Sequence, residues 1–595
     1  MLDPTCGSGA FLFAALNILK PLYDASLGTM AGLLLDADQA GDHKSAEKWK
    51  DIEETIKRFG VLGSDRTHDY AVIKHIVVHN LYGVDIEEQA TEIAKLRLFL
   101  KLVSLLEPGD SIEPLPDIDF NIRHGNTLVG YATADETEAA VKGATQGNLF
   151  SDAWEDIRVR LISVQEAYHN FQIQQVQRGG RITAEDKSAL AMQLAELEEI
   201  LNFHLCRAYG KDPTKAKQYD AWKASQKPFH WYVDFYPLMA AGGFDAIIGN
   251  PPYVVFPSKD VLYVWPDSYY KCQDTKNLYA LVAERSISLS QRGVVGLIVQ
   301  LTSLSSERML ALQNIWLTGS NSFIVPFPRR PESVFEGVEM PTAIWLRLPL
   351  HSTTGRAGLS TSAVRRFYTV ERPFAIDTTR LWPKENARLN FRIPKLSDSI
   401  GELVLAKLHA SATVEMLIAR HSNHPVFYQE ACRYWAKSSC FAPRFIRNGE
   451  AVDQPHGRTL TLNSIQAASF VNCVLNSSLF YWYYSTLADC EHINDGLVRR
   501  FPLPVNWGAT DWAVLSTAVD DALRQSAVPK MINTKQGHII EYDEINGKQA
   551  STVIAKADAA LAKAFGLTGN EADYVQNYDT KYRMMLGVVG SDTDA

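Results

Sequence analysis

Two consecutive prolines, Pro251-Pro252, come just after the mostly apolar run Phe244-Asp245-Ala246-Ile247-Ile248, with Gly249 and Asn250 between. Neither proline can donate to a strand ladder, so a strand ending in a central sheet must stop there and turn into a rigid loop. That loop fixes the directions of the Asn250 side-chain oxygen and of a backbone carbonyl. Two fixed acceptors suit a planar amino group, and the neighbouring Tyr253 offers a stacking face.

Two earlier strand ends share this character. Asp3-Pro4-Thr5-Cys6-Gly7-Ser8-Gly9-Ala10-Phe11 reads as a strand end, a glycine turn and a helix start, the helix continuing through Phe13, Leu16, Ile18 and Leu19. Such a turn lets backbone approach a ligand, and the helix N-terminus supplies free N–H donors. The spacing is neither a GxGxxG dinucleotide loop nor a phosphate-binding GK[ST] loop. Ile76–Ile86 reads as a strand ending in Asp85, an acid placed to accept from both hydroxyls of a ribose. A helix over about 88–105 follows, with Ile93, Leu96, Phe99, Leu100 and Val103 on one face. Residues 121–128, 294–299 and 342–348 add strand character, and a helix is expected near 277–291. Strand–helix alternation of this kind predicts an α/β fold built on a doubly wound parallel sheet.

Residues of about 141–230 interrupt the alternation. They predict an inserted helical hairpin around an Arg178-Gly179-Gly180-Arg181 turn, with Thr183 and Asp186 as a capping box. Past residue 350 the pattern becomes mixed, with Pro, Arg and aromatics interleaved. The expected organisation is a domain over 1–350, a second over 351–510 and a weakly acidic helical region over 511–595.

The net charge of −9 argues by itself against a polyanion partner. It is unevenly spread: residues 351–500 hold 18 Lys+Arg and 12 Asp+Glu, or +6, leaving −15 elsewhere. Arg433, Lys437, Arg444 and Arg447 lie among Tyr434, Trp435, Phe441 and Phe445, a composition that suits phosphate neutralisation and base stacking or a solvated face over core aromatics. Seven cysteines without a CxxC pair predict neither a disulfide scaffold nor a metal site. No uncharged stretch of about 18 apolar residues and no leader are seen, so a cytoplasmic protein with no membrane segment is expected.

The three loops in this order resemble the amino-group DNA methyltransferases. Asp3–Phe11 matches their Asp-Pro-x-Cys-Gly-Ser/Thr-Gly-x-Phe motif, Leu81–Ile86 their second motif, Ile248–Tyr253 their catalytic motif, and Asn277-Leu278-Tyr279 their fifth. Leu475–Tyr484, His492-Ile493-Asn494 and Phe501-Pro502-Leu503-Pro504 are similar to the recognition segment of TaqI-like and type IIG (BREX-like) restriction-modification methylases.

The resemblance implies a Rossmann-like methyltransferase domain with a mixed α/β target recognition domain. It implies S-adenosylmethionine as cofactor and no metal. Asp3, Pro4, Cys6, Gly7, Gly9 and Phe11 would cradle its methionine part, Asp85 its ribose, and Ile86 and Asn126 its adenine. Asn250, Pro251, Pro252 and Tyr253 would carry methyl transfer to adenine N6, Asn before Pro-Pro-Tyr pointing to adenine rather than cytosine. The adenine would be flipped from double-stranded DNA in a restriction-modification or phage-defence setting. Asn126 stands where the family more often has Asp.

Only Met1 and Leu2 precede the first loop, so a truncated start or a separate N-terminal or restriction partner subunit is expected. The alternatives are a DNA-recognition subunit that depends on such a partner and a protein glutamine methyltransferase.

Overall fold

The structure, a computed structural model, describes residues 1–39, 47–60, 68–106, 115–143, 151–176, 183–259, 261, 263–266, 269–350, 357–409 and 411–585. Two compact units are present. One comprises Met1–Val299, Ala311–Ser322 and Trp345–Ala357, the other Gln300–Leu310, Phe323–Ile344 and Gly358–Ala595.

The first unit is α/β. Its strands are β1 (Leu2–Asp3), β2 (Tyr82–Asp85), β3 (Ile122–His124), β4 (Ala246–Gly249) and β5 (Val294–Gln300), in the sheet order β3-β2-β1-β4-β5. All four pairings are parallel, with Asp3 opposite Gly83, Asp85 opposite His124, Leu2 opposite Ile247 and Gly249 opposite Leu297. Parallel strands covered on both faces need near-continuous apolar residues, which the strand residues Leu2, Val84, Ile122 and Ile247 supply, all at most 1% exposed. Helices Ala10–Gln39, His68–His79 and Glu88–Val103 build the adjoining core through Leu12, Leu16, Ile73, Ile76, Val77, Leu98 and Leu102.

Two local expectations change. Residues Ile76–His79 belong to a helix, and the strand begins only at Tyr82. A short apolar β-branched run has no period that separates a buried helix from a strand. In Glu88–Val103 the buried residues are Thr91, Ala94, Leu98 and Leu102, while Ile93, Leu96, Leu100 and Val103 are exposed. The small face is turned inward because Ala94 meets the glycine loop: a Cβ on Gly9 would lie 2.9 Å from the Ala94 Cβ.

The stretch Ala10–Ala37 is long and apolar enough, by length and composition only, to cross a membrane. Its Leu12, Ala15, Leu16, Leu27 and Leu34 are buried in this unit, and Lys20 bridges Asp24 (2.7 Å) and Asp69 (2.8 Å).

The inserted hairpin is formed by Ser151–Val176 and Ala184–Ala208; its Arg178–Arg181 turn lies outside the described residues. Thr183 caps the second helix in the reciprocal box with Asp186. The two helices share a core of Leu161, Val164, Phe171, Leu190, Leu194, Leu197 and Leu201. Arg123 of β3 holds this insertion, lying 3.0 Å from Glu198 and 2.7 Å from the buried Asp234.

In the second unit, helices Ile465–Asn476 and Ser478–Leu487 are buried almost throughout. They form a core with Val426, Tyr428, Leu460, Trp512, Ala557 and Leu561. Trp512–Gln525, Ser551–Ala564 and Gly569–Gln576 are helices, and residues 511–595 also contain a strand pair, Val528–Asn533 and Ile539–Glu544. This pair adds to Phe445–Arg447 in a four-stranded sheet. Val528–Asn533 is exposed along its whole length, so it has no apolar alternation by which to be read.

Candidate active site

Because β1, β2 and β4 are parallel neighbours, Asp3, Asp85 and Asn250 emerge at the same edge of the sheet, the carboxyl edge where such folds bind ligands. The glycine loop is tied directly to β2. The Cys6 N–H donates to the Val84 carbonyl (3.0 Å), and the Gly7 N–H donates to Asp85 Oδ2 (2.8 Å). Gly7 (φ +50°) and Gly9 (φ +78°) take left-handed conformations that favour glycine. The Gly9 N–H donates to the Cys6 carbonyl (2.8 Å), closing the turn into helix Ala10–Gln39 with Phe11 half-buried in its first turn.

Asp3 is 1% exposed. Burial pushes its carboxyl up to about 7; the Thr5 N–H (3.1 Å) opposes this and the charge of Asp85 adds to it. Burial first, then Asp3 and Asp85, raise the Cys6 thiol far above its ordinary range, so it stays protonated and packs as a small apolar group. Pro4 is buried, and its carbonyl accepts from the Thr127 hydroxyl in the turn after β3. Asp85 Oδ1 accepts from the Glu87 N–H (2.9 Å), so each carboxylate oxygen makes one bond among the described residues. The Ile86 carbonyl accepts from Lys227 Nζ (2.9 Å) and lies 3.0 Å from His124 Nε2.

Asn126, expected at the cofactor adenine, is hydrogen-bonded to the protein around it. Its Nδ2 donates to the Gln226 carbonyl (3.1 Å) and its Oδ1 accepts from the Leu128 N–H (3.0 Å). The amide therefore fastens the turn after β3 to the end of the helical insertion. Lys227 and Gln226 were not legible as site residues, because nothing local marks the residues that end an inserted helix near a distant loop.

The Asn250–Tyr253 loop is braced by the segment that follows it. The Leu278 N–H donates to the Val254 carbonyl (3.0 Å) and the Phe256 N–H to the Lys276 carbonyl (3.0 Å), which joins it to the Asn277-Leu278-Tyr279 segment. The Tyr253 hydroxyl donates to the Ile298 carbonyl (3.1 Å), and Tyr279 meets its ring edge-on at 6.0 Å. Both ends of the ring are thus fixed. A Cβ on Gly249 would lie 2.8 Å from Asp3 Oδ1, so only glycine lets the β1 carboxyl approach the start of this loop. Within it, Asn250 Oδ1 is buried and has no hydrogen-bond partner among the described residues. A buried acceptor left unpaired costs about 1–3 kcal/mol, a cost that an incoming donor relieves. The loop, the acid and the orphaned acceptor together fit an adenosyl cofactor beside a planar amino group.

In the second unit the aromatics of 428–447 are engaged inside the protein. Arg366 lies over Tyr434 (5.5 Å), Arg583 over Trp435 (4.0 Å) and Arg524 over Phe441 (4.1 Å), and Arg444 pairs with Glu541. Arg433 and Arg447 remain exposed.

Residues 79–330 match the model of the Eco57I restriction-modification methylases. A protein of Methanocaldococcus jannaschii named as a type II restriction enzyme and methyltransferase is 26% identical over 292 residues, covering 42% of this chain. The chain spans about a fifth (22%) of that relative's length. Among solved structures, the type ISP restriction-modification enzyme LlaGI, a nuclease-deletion mutant with a DNA substrate mimic, aligns with a TM-score of 0.39 at 11% identity. That alignment covers 93% of this chain and 49% of the other. The type IIL enzyme MmeI with DNA aligns at a TM-score of 0.32 and 13% identity, covering 91% and 93%. Over residues 79–330, this chain is similar to the Eco57I restriction-modification methylases.

Proposed function

We propose that the chain is a site-specific DNA methyltransferase that methylates adenine N6, using S-adenosylmethionine, as the modification component of a restriction-modification or phage-defence system. The observation that carries this reading is the unpartnered, buried Asn250 Oδ1 in a proline-stiffened loop at the carboxyl edge of the sheet.

The cofactor, when bound, supplies a methyl group made electrophilic by a sulfonium centre. Asp3 would face its ammonium group, Asp85 would accept from its ribose hydroxyls, and the Gly7–Gly9 turn would leave room for its backbone-like part. Asn250 Oδ1 and the Pro251 carbonyl would accept hydrogen bonds from the N6 amino group of the target base. That draws the nitrogen lone pair out of conjugation with the ring and aims it along one direction. Tyr253, its ring held by Ile298 and Tyr279, would stack on the base. Extruding an adenine from a duplex costs roughly a few kcal/mol, which stacking and the amide contacts offset. Positioning, rather than an acid–base pair, then provides most of the acceleration. The exposed Arg433 and Arg447 suit phosphate contacts in double-stranded DNA. The setting would be cytoplasmic, with a restriction or N-terminal subunit as a candidate partner.

The test is Asn250→Ala in the full chain, with methyl transfer to duplex DNA and cofactor binding measured separately. The variant should lose more than about a hundredfold in transfer, as on removal of one preorganised polar group at a reacting centre, while binding cofactor within about twofold. Nucleoside analysis of the wild-type product should give N6-methyladenine. Normal transfer by the variant, or N4-methylcytosine as product, refutes the assignment.

A further inference from the structure

The chain that follows the Asn250–Tyr253 loop carries Phe256, Tyr263, Trp265, Tyr269 and Tyr270 within fifteen positions. Three of these hold the turn after β3. Trp265 Nε1 and the Tyr270 hydroxyl donate to the Leu128 carbonyl (3.1 and 2.7 Å), and the Tyr269 hydroxyl donates to the Gly130 carbonyl (2.9 Å). Arg285 locks the arrangement from behind, donating to the Tyr270 hydroxyl (2.7 Å) and the Gly130 carbonyl (3.1 Å). The Val264 N–H donates to Gln226 Oε1 (3.0 Å), and the carbonyl of the same Gln226 accepts from Asn126. Residues 264 and 265 are thereby fixed on the turn that neighbours Asp85.

Tyr263 differs from its neighbours. Its ring is held edge-on by Trp265 at 5.5 Å, which in turn meets Phe256 at 5.1 Å. Its hydroxyl has no hydrogen-bond partner among the described residues, and the side chain is only partly buried. Burial first, then the charge of Asp85, push the phenol up to about 12. A phenol that stays protonated, is held in place by a packed aromatic row and lies in the field of the proposed ribose-binding acid is a preset donor with no acceptor among the described residues.

We propose that Tyr263 is a cofactor-binding residue that closes the nucleoside site beside Asp85 and donates its phenol to the bound S-adenosylmethionine. This rests on the reading of the site given above. It also gives the helical insertion a purpose, because Gln226 at its end seats both Asn126 and the backbone beside Tyr263.

The test is calorimetric titration of S-adenosylmethionine into the full chain without DNA, for wild type, Tyr263→Phe and Tyr263→Ala, with thermal unfolding of each. Loss of one hydrogen bond should weaken binding about fivefold in Tyr263→Phe, with an unchanged unfolding midpoint. Tyr263→Ala, which also loses the ring, should bind more weakly still. Cofactor KM should rise in step while kcat on DNA holds. Wild-type affinity in both variants, or a loss confined to KM for DNA, overturns the assignment and leaves the methyltransferase reading intact. Should Tyr263→Ala unfold, the Phe variant alone decides. Absence of cofactor binding by the wild type would instead overturn the proposed function.

Discussion

Replacing Asp3 by Asn tests the electrostatics of the cofactor loop most directly. Burial holds this carboxyl near 7 rather than its ordinary 3.8, so about half of the unliganded molecules carry the negative charge at pH 7, about one-tenth at pH 6 and about nine-tenths at pH 8. A ligand ammonium group selects the ionised form. Affinity for S-adenosylmethionine should therefore fall roughly tenfold between pH 8 and pH 6, and binding at pH 7 should release about half a proton. Titrations in two buffers of different ionisation enthalpy measure the proton directly. Asp3→Asn should bind more weakly at pH 8 and lose the Asp3 part of the pH dependence, which separates it from titration of the ligand's own amino group. The stability of the unliganded protein gives the opposite sign. A folded pKa above the unfolded one means that the folded state binds more protons, so this group's contribution declines as pH rises from about 4 to about 7. The shift of about three pH units corresponds to ~4 kcal/mol, and Asp3→Asn should raise the unfolding midpoint at pH 8 relative to wild type. Proton release and pH dependence identical in wild type and Asp3→Asn would refute the placement of Asp3 against the cofactor, and an unchanged or lowered midpoint would refute its buried ionisation.

Two further outcomes concern the frame that holds the site. Gly9→Ala puts a Cβ 2.9 Å from Ala94 at φ +78° and should lower stability by about 1–3 kcal/mol in urea unfolding, with weaker cofactor binding; an unchanged midpoint would mean that the loop has no such constraint. Arg123→Ala leaves Asp234, which is 4% exposed, without its guanidinium and should cost about 3–5 kcal/mol, partly restored by adding Asp234→Asn. Equal stability of Arg123→Ala and wild type would show that the insertion is held by its apolar contacts alone.

The glycine loop, the acid at the end of the second strand, the proline-stiffened Asn250 loop and the Thr183–Asp186 cap were all legible from sequence. Each depends on backbone geometry within a few residues: a left-handed turn that favours glycine, a strand that prolines must end, a hydroxyl that caps its own helix. Their order along the chain also implied parallel strands, since each strand end was followed by a helix. The burial face of Glu88–Val103 was not legible, because that helix has apolar residues on both sides, and the face turned inward was chosen by the fit of Ala94 against Gly9. The settings of Asn126 and Trp435 were likewise decided by Gln226 and Arg583, residues 100 and 148 positions away. The seating of Val264 on Gln226, 38 positions away, has the same origin. Local chemistry is written in neighbouring residues, whereas which polar group meets which partner, and which is left without one, is settled only when distant segments are packed and water is excluded between them.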